Sequence, residues 1–333
     1  MKNNWLIKKK EGLYCIPGDF YIDPTYPVNY ALITHSHTDH ARPGNKKILG
    51  TDDTINIMKL RYGKNYCQSS QKIEFGDYLR IKGVNIKFIP AGHIIGSSQI
   101  YLEYKGETIV VSGDYKRRKD LTCDLFEVIK CHTFITEATF GLPIFTHPSD
   151  IHETSKLIKS INDNSNYCHL IGVYALGKCQ RLITLLRKLG FNDVIYLHGA
   201  LIKISNYYID RKINLGKLRN VSELRPSDYS NKLILCPPSS LSDRWSQKFN
   251  KVIKGFVSGW MGIKQRIKQK NIQLPIIISD HADWNEILNT IEEISPEKVL
   301  VTHGREEGLL SYLKQKKVSC NALNLIGFED EDD

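Results

Sequence analysis

A chain of 333 residues has room for one large core or two domains, and its formal charge of +10 suits a polyanionic partner. Eight cysteines without a Cys-x-x-Cys pair argue against a disulfide framework and for reduced thiols in a cytoplasmic protein. No segment approaches the roughly 20 apolar residues of a membrane span, and no apolar stretch follows Lys8-Lys9-Lys10, so neither an anchor nor a signal peptide is expected.

In chain order, the apolar run Tyr30-Ala-Leu-Ile-Thr34 reads as a strand and leads straight into His35-Ser-His-Thr-Asp-His40. A helix is expected around Thr51 to Arg61, then a meander from Gln71 to Ile109 with turns at Gly76-Asp77, Lys82-Gly83 and Lys105-Gly106. Buried strands are expected to end at His93, Asp114 and Glu137. From about residue 150 the texture changes to helix (Ile151 to Ser160), strand (His169 to Tyr174), helix (Lys178 to Leu189, stopped by Gly190) and strand (Val194 to Leu197). That order is the signature of a parallel crossover. A further strand runs Lys232 to Cys236. Two more, from Pro275 and Lys298, end at His281 and His303, and the tail Glu329-Asp-Glu-Asp-Asp333 reads as a solvated acidic end.

Three histidines and an aspartate in six residues at a strand exit predict a metal site. His35 and His37, two apart on extended chain, project to one side and can share an ion, while Asp39 and His40 turn toward a second. Imidazole with carboxylate suits zinc, with manganese or iron as alternatives. Six strands that each end in a ligand or catalyst are best explained by one site along a common edge of packed sheets. Because ligand-bearing strands resume after residue 270, a small α/β domain is read as inserted into a larger one. The expected boundaries are 1–141, 142–272 for the insertion, and 273–333.

These residues resemble the ordered motifs of the metallo-β-lactamase superfamily: the 35–40 block, then Gly92-His93, Gly113-Asp114, Glu137, Asp280-His281 and Thr302-His303-Gly304. More narrowly they resemble its β-CASP nucleases. The stretches Leu13-Tyr-Cys-Ile-Pro-Gly-Asp-Phe-Tyr-Ile-Asp-Pro24, His40-Ala-Arg-Pro-Gly44, Ser258-Gly-Trp-Met261 and Ser279-Asp-His-Ala-Asp-Trp284 are similar to bacterial ligase-associated DNA exonucleases. The resemblance implies an α/β fold, an αββα sandwich with an inserted β-CASP cap and the active site in the cleft between them. It also implies two divalent metal ions, Zn2+ or Mn2+. One ion would take His35, His37 and His93, the other Asp39, His40 and His303, with Asp114 bridging.

Two such ions can hold a hydroxide as nucleophile, and Asp39 is expected to help orient it. His281 is the expected general acid, oriented by Glu137, and Asp23 a partner behind a ligand histidine. Lys178 and Gln180 at a glycine-led helix start, Lys116 and Arg117 after Asp114, and Ser97 are expected to bind substrate. His198 reads as packing or substrate contact rather than a ligand, and Trp260 and Trp284 as core.

The expected function is a ligase-associated DNA exonuclease working in repair. Nucleic acid is the partner, DNA ahead of RNA, with an ATP-dependent DNA ligase and a helicase implied by resemblance only. The rival nuclease is an RNA-processing enzyme of the mRNA 3′-end type, since a histidine at position 303 is more typical of RNA-acting members. A thioester or lactone hydrolase is a third reading, and a nucleic-acid-binding scaffold with a vestigial site a fourth.

Overall fold

The computed structural model describes residues 5–323; the acidic tail lies outside them. Six strands form a first sheet in chain order: β1 (Leu6–Lys9), β2 (Gly12–Cys15), β3 (Phe20–Ile22), β4 (Tyr30–Leu32), β5 (Asn45–Gly50) and β6 (Cys67–Lys72). Pairing is antiparallel from β1 to β3 and parallel from β3 to β6. Between β5 and β6 the chain forms helix α1 (Asp52–Tyr62), one residue along from the predicted span. The Thr51 side chain accepts the Thr54 N–H at its start, and Lys59 and Arg61 meet the negative end of its dipole.

A second sheet takes β7 (Tyr78–Ile81), β8 (Val84–Pro90), β9 (Ser98–Tyr104), β10 (Glu107–Val111) and β11 (Thr133–Ala138). Strands β7 to β10 are an antiparallel meander turning at Lys82-Gly83 and Lys105-Gly106. The meander expected from Gln71 begins later. Gln71 and Lys72 belong to β6 and pair with Leu49 and Gly50 of the first sheet. The sequence of β6, Cys-Gln-Ser-Ser-Gln-Lys, has no apolar alternation to reveal this edge strand.

The next six strands, β12 (Cys168–Gly172), β13 (Ile195–Leu197), β14 (Leu218–Asn220), β15 (Leu233–Cys236), β16 (Val252–Val257) and β17 (Leu274–Ile276), form a third sheet, ordered β14-β13-β15-β12-β16-β17 and parallel throughout. The predicted helix–strand–helix–strand run is there: α2 (Asp150–Asp163), β12, α3 (Lys178–Lys188), β13. Every residue of β12 and β15 is buried, as strands covered on both faces require. Helices α4 (Gly199–Asp210) and α5 (Lys264–Gln269) complete this part. The chain then forms α6 (Trp284–Ile294), returns to the second sheet as β18 (Lys298–Gly304), and ends with α7 (Glu306–Gln315) and β19 (Cys320–Ala322). The two compact units are the described residues up to Phe145 with those from His281 onward, and Thr146–Asp280.

Within the first unit the strand period of two sorts side chains to opposite faces. Ile109 and Val111 of β10 join Leu13, Phe20, Leu32, Leu49, Phe88 and Ile100 in a core shared by the first two sheets. Val110 points the other way, into a core with Phe134, Val299, Val301 and residues of α6 and α7. Ala31 and Ile48 pack on Ile55 and Met58 of α1. Trp260 and Trp284 are buried, as expected of core residues. Among the described residues no helix is long and apolar enough to cross a membrane, and all eight cysteines are free.

Strand direction gathers the ligands. β10, β11 and β18 run parallel, and β8, two antiparallel steps from β10, runs with them. Their C-terminal ends therefore share one edge, where Glu137 and His303 close β11 and β18 and the chain continues from β8 and β10 into His93 and Asp114. In the first sheet the parallel pair β3 and β4 ends at Asp23 and the His35 loop in the same manner. The edge outside the carboxyl ends of parallel strands is where open α/β sheets take ligands.

Candidate metal centre

His35 Nε2 lies 3.4 Å from Asp114 Oδ2, His93 Nε2 3.7 Å from the same oxygen, and His37 Nδ1 2.9 Å from His93 Nε2. One donor atom from each of these four residues lies within 4.8 Å of all the others. A second close group is His40, Asp114 and His303, with His40 Nε2 3.3 Å from Asp114 Oδ2 and His303 Nε2 3.1 Å from Oδ1. Asp114 thus offers a different oxygen to His303 than to His35 and His40. Asp39 stands beside this second group rather than inside it, its Oδ2 3.5 Å from His40 Nε2. Glu137 and His281 form a third group, again with Asp114.

Behind the ligands stands a buried hydrogen-bond chain. Asp23 Oδ1 accepts from the Thr34 N–H at 2.8 Å, and its Oδ2 is 2.8 Å from His40 Nδ1 and 2.5 Å from the Thr34 hydroxyl. Asp23 adopts φ of 42°, a left-handed backbone that aspartate tolerates better than most residues. The hydroxyl of Thr34 donates to Asp23, so toward His35 Nδ1, 3.1 Å away, it accepts. The proton of neutral His35 therefore sits on Nδ1, and Nε2 is a lone pair. Thr302 repeats the device, reaching the Thr136 carbonyl at 3.3 Å and His303 Nδ1 at 2.8 Å.

Protonation follows from these neighbours. Burial, and then the nearby charge of His40, hold His35 well below the ordinary histidine range. Burial alone would lower His40 too, but Asp114 and Asp39 outweigh it and raise it well above that range. Burial would raise Asp114, yet His40 and His35 outweigh it and the carboxyl is driven far down. The site residues fit a cation. His35 Nε2 is buried without a hydrogen-bond partner, and its lone pair faces an ionised carboxylate 3.4 Å away. Two acceptors turned on each other are favourable only with positive charge between them.

His281 is oriented as a histidine of fixed tautomer. Glu137, fully buried at the end of β11, accepts the Tyr115 N–H at 2.7 Å and the Thr139 hydroxyl at 2.6 Å. Its Oε2 lies 2.9 Å from His281 Nδ1, which is 4.0 Å from Asp114 Oδ2. The His281 ring centroid is 4.7 Å from that of His93.

The residues expected to touch substrate each have partners within the protein. Gln180, wholly buried, accepts from the Gly177 N–H and donates to the Ala175 carbonyl and Ser205, so the start of α3 uses all of its amide. Ser97 accepts the His93 and Ile94 N–H groups at 3.1 Å each and shapes the turn that presents His93. Arg117 pairs with Glu293 at 2.9 Å and with Thr290 of α6. Lys116 is buried, and its backbone N–H donates to the Ala91 carbonyl. Lys178, buried at the start of α3, has Nζ 3.6 Å from Asp280 and 4.4 Å from the Tyr174 ring centre. His198 accepts the Ala200 N–H at the start of α4 and packs on Trp245. Sequence reasoning missed the two threonines, though each directly precedes a ligand histidine. It also missed Arg61, which donates to the Ser36 carbonyl at 2.7 Å and the Thr38 hydroxyl at 2.6 Å.

No family model matches the chain. A probable DNA ligase of Opitutus terrae is 25% identical over 332 residues, covering 96% of this chain but 31% of that protein. An RNase J-like protein of Methanocaldococcus jannaschii is 25% identical over 352 residues, 86% of this chain and 83% of that one. The endoribonuclease ysh1 of Aspergillus fumigatus is 32% identical over 238 residues, 60% of this chain and 26% of that one. The chain thus spans less than a third of the ligase and of this endoribonuclease. A crystal structure of a protein of unknown function from Enterococcus faecalis V583 covers 87% of this chain and 78% of its own at TM-score 0.58 and 12% identity, a likeness of fold alone. The relatives are nucleic-acid enzymes, and in this chain two histidine groups meet on one buried aspartate, an arrangement similar to that of the metallo-β-lactamase superfamily and its β-CASP branch.

Proposed function

We propose that the protein is a cytoplasmic two-metal nuclease, an αββα sandwich with residues 142–272 as its β-CASP cap. In this reading it is a ligase-associated DNA exonuclease of repair. The observation that carries the reading is Asp114, whose carboxylate meets both histidine groups, Oδ2 facing His35 and His40 and Oδ1 facing His303. His35, His37 and His93 would hold one cation, and His40 and His303 with Asp39 the other. Divalent cations there, zinc by donor type with manganese as the alternative, supply Lewis acidity toward a phosphate and acidify water.

The chain's own residues supply the proton transfer and the grip. His281 keeps its Nδ1 proton on Glu137, which leaves Nε2 to carry a proton to the departing oxygen. Positive charge is concentrated in the second unit. Residues 146–280 hold 21 Lys and Arg against 9 Asp and Glu, and the rest of the chain 25 against 27. A net +12 in one unit suits a phosphate backbone. DNA is preferred because the relative that covers 96% of this chain is named as a ligase.

Matched end-labelled single strands of DNA and RNA, incubated with zinc, manganese or magnesium, test substrate, direction and ion together. Stepwise shortening of DNA is expected. RNA cut efficiently with DNA intact would replace this reading by RNA processing, which has its own support in the RNase J-like relative matching most of both chains. His281→Ala should keep metal and substrate binding and lose turnover by about 10²–10⁴-fold. Turnover at the normal rate would remove His281 from the mechanism.

A further inference from the structure

The loop that carries the first ligands has a buried side and an open one. His35, His40, His93 and Asp114 are buried, whereas His37 and Asp39 are half-buried and Thr38 between them is exposed. The open side is therefore residues 37–39. An arginine is fixed there. Arg61, in the last turn of α1, spends one N–H on the Ser36 carbonyl and one on the Thr38 hydroxyl, bracketing His37 from both neighbours.

Several arginines of the chain are neutralised by acids. Arg117 is paired with Glu293, Arg118 with Asp283, Arg181 with Asp280 and Arg225 with Asp228. Among the described residues Arg61 has no carboxylate partner, and its two hydrogen bonds go to neutral oxygens. A guanidinium has five donors, so three remain. The result is an exposed full charge, held in a set orientation beside the ligand loop. Placing it there without an anion is unfavourable for the apposed cations, and an incoming phosphate removes the conflict. Arginine matches phosphate through two parallel N–H groups.

We propose that Arg61 is a substrate-binding residue that takes the non-bridging oxygens of a nucleic-acid phosphate arriving at the open side of the metal loop. The inference rests on the nuclease reading above and adds to it a residue outside the ligand and acid–base sets. The two hydrogen bonds to the loop set the guanidinium plane, and the remaining donors face the strand.

The test is binding of the full chain to a labelled single-stranded 20-mer with hydrolysis-resistant phosphorothioate linkages, measured by anisotropy at several salt concentrations. Arg61→Ala should weaken binding about 10-fold at low salt. It should also reduce the slope of log K against log salt by about 0.7, the share of one single-strand phosphate contact. In cleavage assays KM should rise more than kcat falls, with metal content per chain unchanged. Arg61→Lys should restore the salt slope but only part of the affinity, since it keeps charge without the fork. Lys82→Ala, which removes an exposed lysine paired with Asp19, serves as a control with unchanged slope. An unaltered slope in Arg61→Ala overturns the proposal, and a simultaneous loss of metal would reduce Arg61 to a clamp on the loop. If the unmodified protein neither binds nor cleaves either strand, the nuclease reading itself fails.

Discussion

Asp114 is the residue on which the site turns, because it is the only member of all three close ligand groups among the described residues. Asp114→Ala should release both cations and abolish activity together, which elemental analysis beside a cleavage assay reads directly. Retention of stoichiometric metal would mean that the carboxylate is not shared. Thr34 acts at one remove: its hydroxyl joins Asp23 to His35 and decides which nitrogen of His35 is bare. Thr34→Val keeps the shape and removes that link, so metal affinity should fall about 10–100-fold in a chelator competition. Unchanged affinity would show that His35 is oriented by packing alone.

At the scale of elements, the site depends on chain turning sharply at the ends of parallel strands. Gly304, next to His303, adopts φ of 94°, and a Cβ there would lie 2.3 Å from the backbone of Ala138. Gly113, before Asp114, adopts φ of 55°, with a would-be Cβ 2.8 Å from Thr34. Both positions need a residue without a side chain, directly beside a candidate ligand. Gly304→Ala should cost at least about 2 kcal/mol of stability through strain and contact with a neighbouring strand. Urea unfolding measures this, and a loss below about 0.5 kcal/mol would show that β18 and β11 shift apart easily. The polar strand β6 adds a second lesson of this scale. Its polar sequence pairs with β5 because the neighbour presents an open edge, not because of its own pattern.

For the whole molecule, the distribution of charge matters more than the total. The first unit with its ligands is close to neutral, and the excess lies in residues 146–280. Binding to single strands should therefore weaken steeply with salt, with several phosphates neutralised and a slope of about −0.7 for each. Anisotropy titrations from low to physiological salt measure the slope. A value near zero would mean that the positive unit faces away from the strand.

The clustering of the candidate ligands and of the His281–Glu137 pair was legible because each closes a local pattern: a β-branched run, then a glycine or polar residue, then the candidate ligand. Local periodicity encodes where a strand ends, and the candidate ligands lie at strand ends. The internal partners of the expected substrate residues were not legible in the same way. Gln180, Ser97 and Arg117 carry suitable groups, but whether a polar side chain meets solvent or a nearby backbone N–H depends on packing. Arg117 finds Glu293 across 176 positions of sequence, and Arg61 finds the ligand loop from the far end of α1. Residue types and their order specified the chemistry, and folding alone decided which charges were neutralised by neighbours and which remained to meet a substrate.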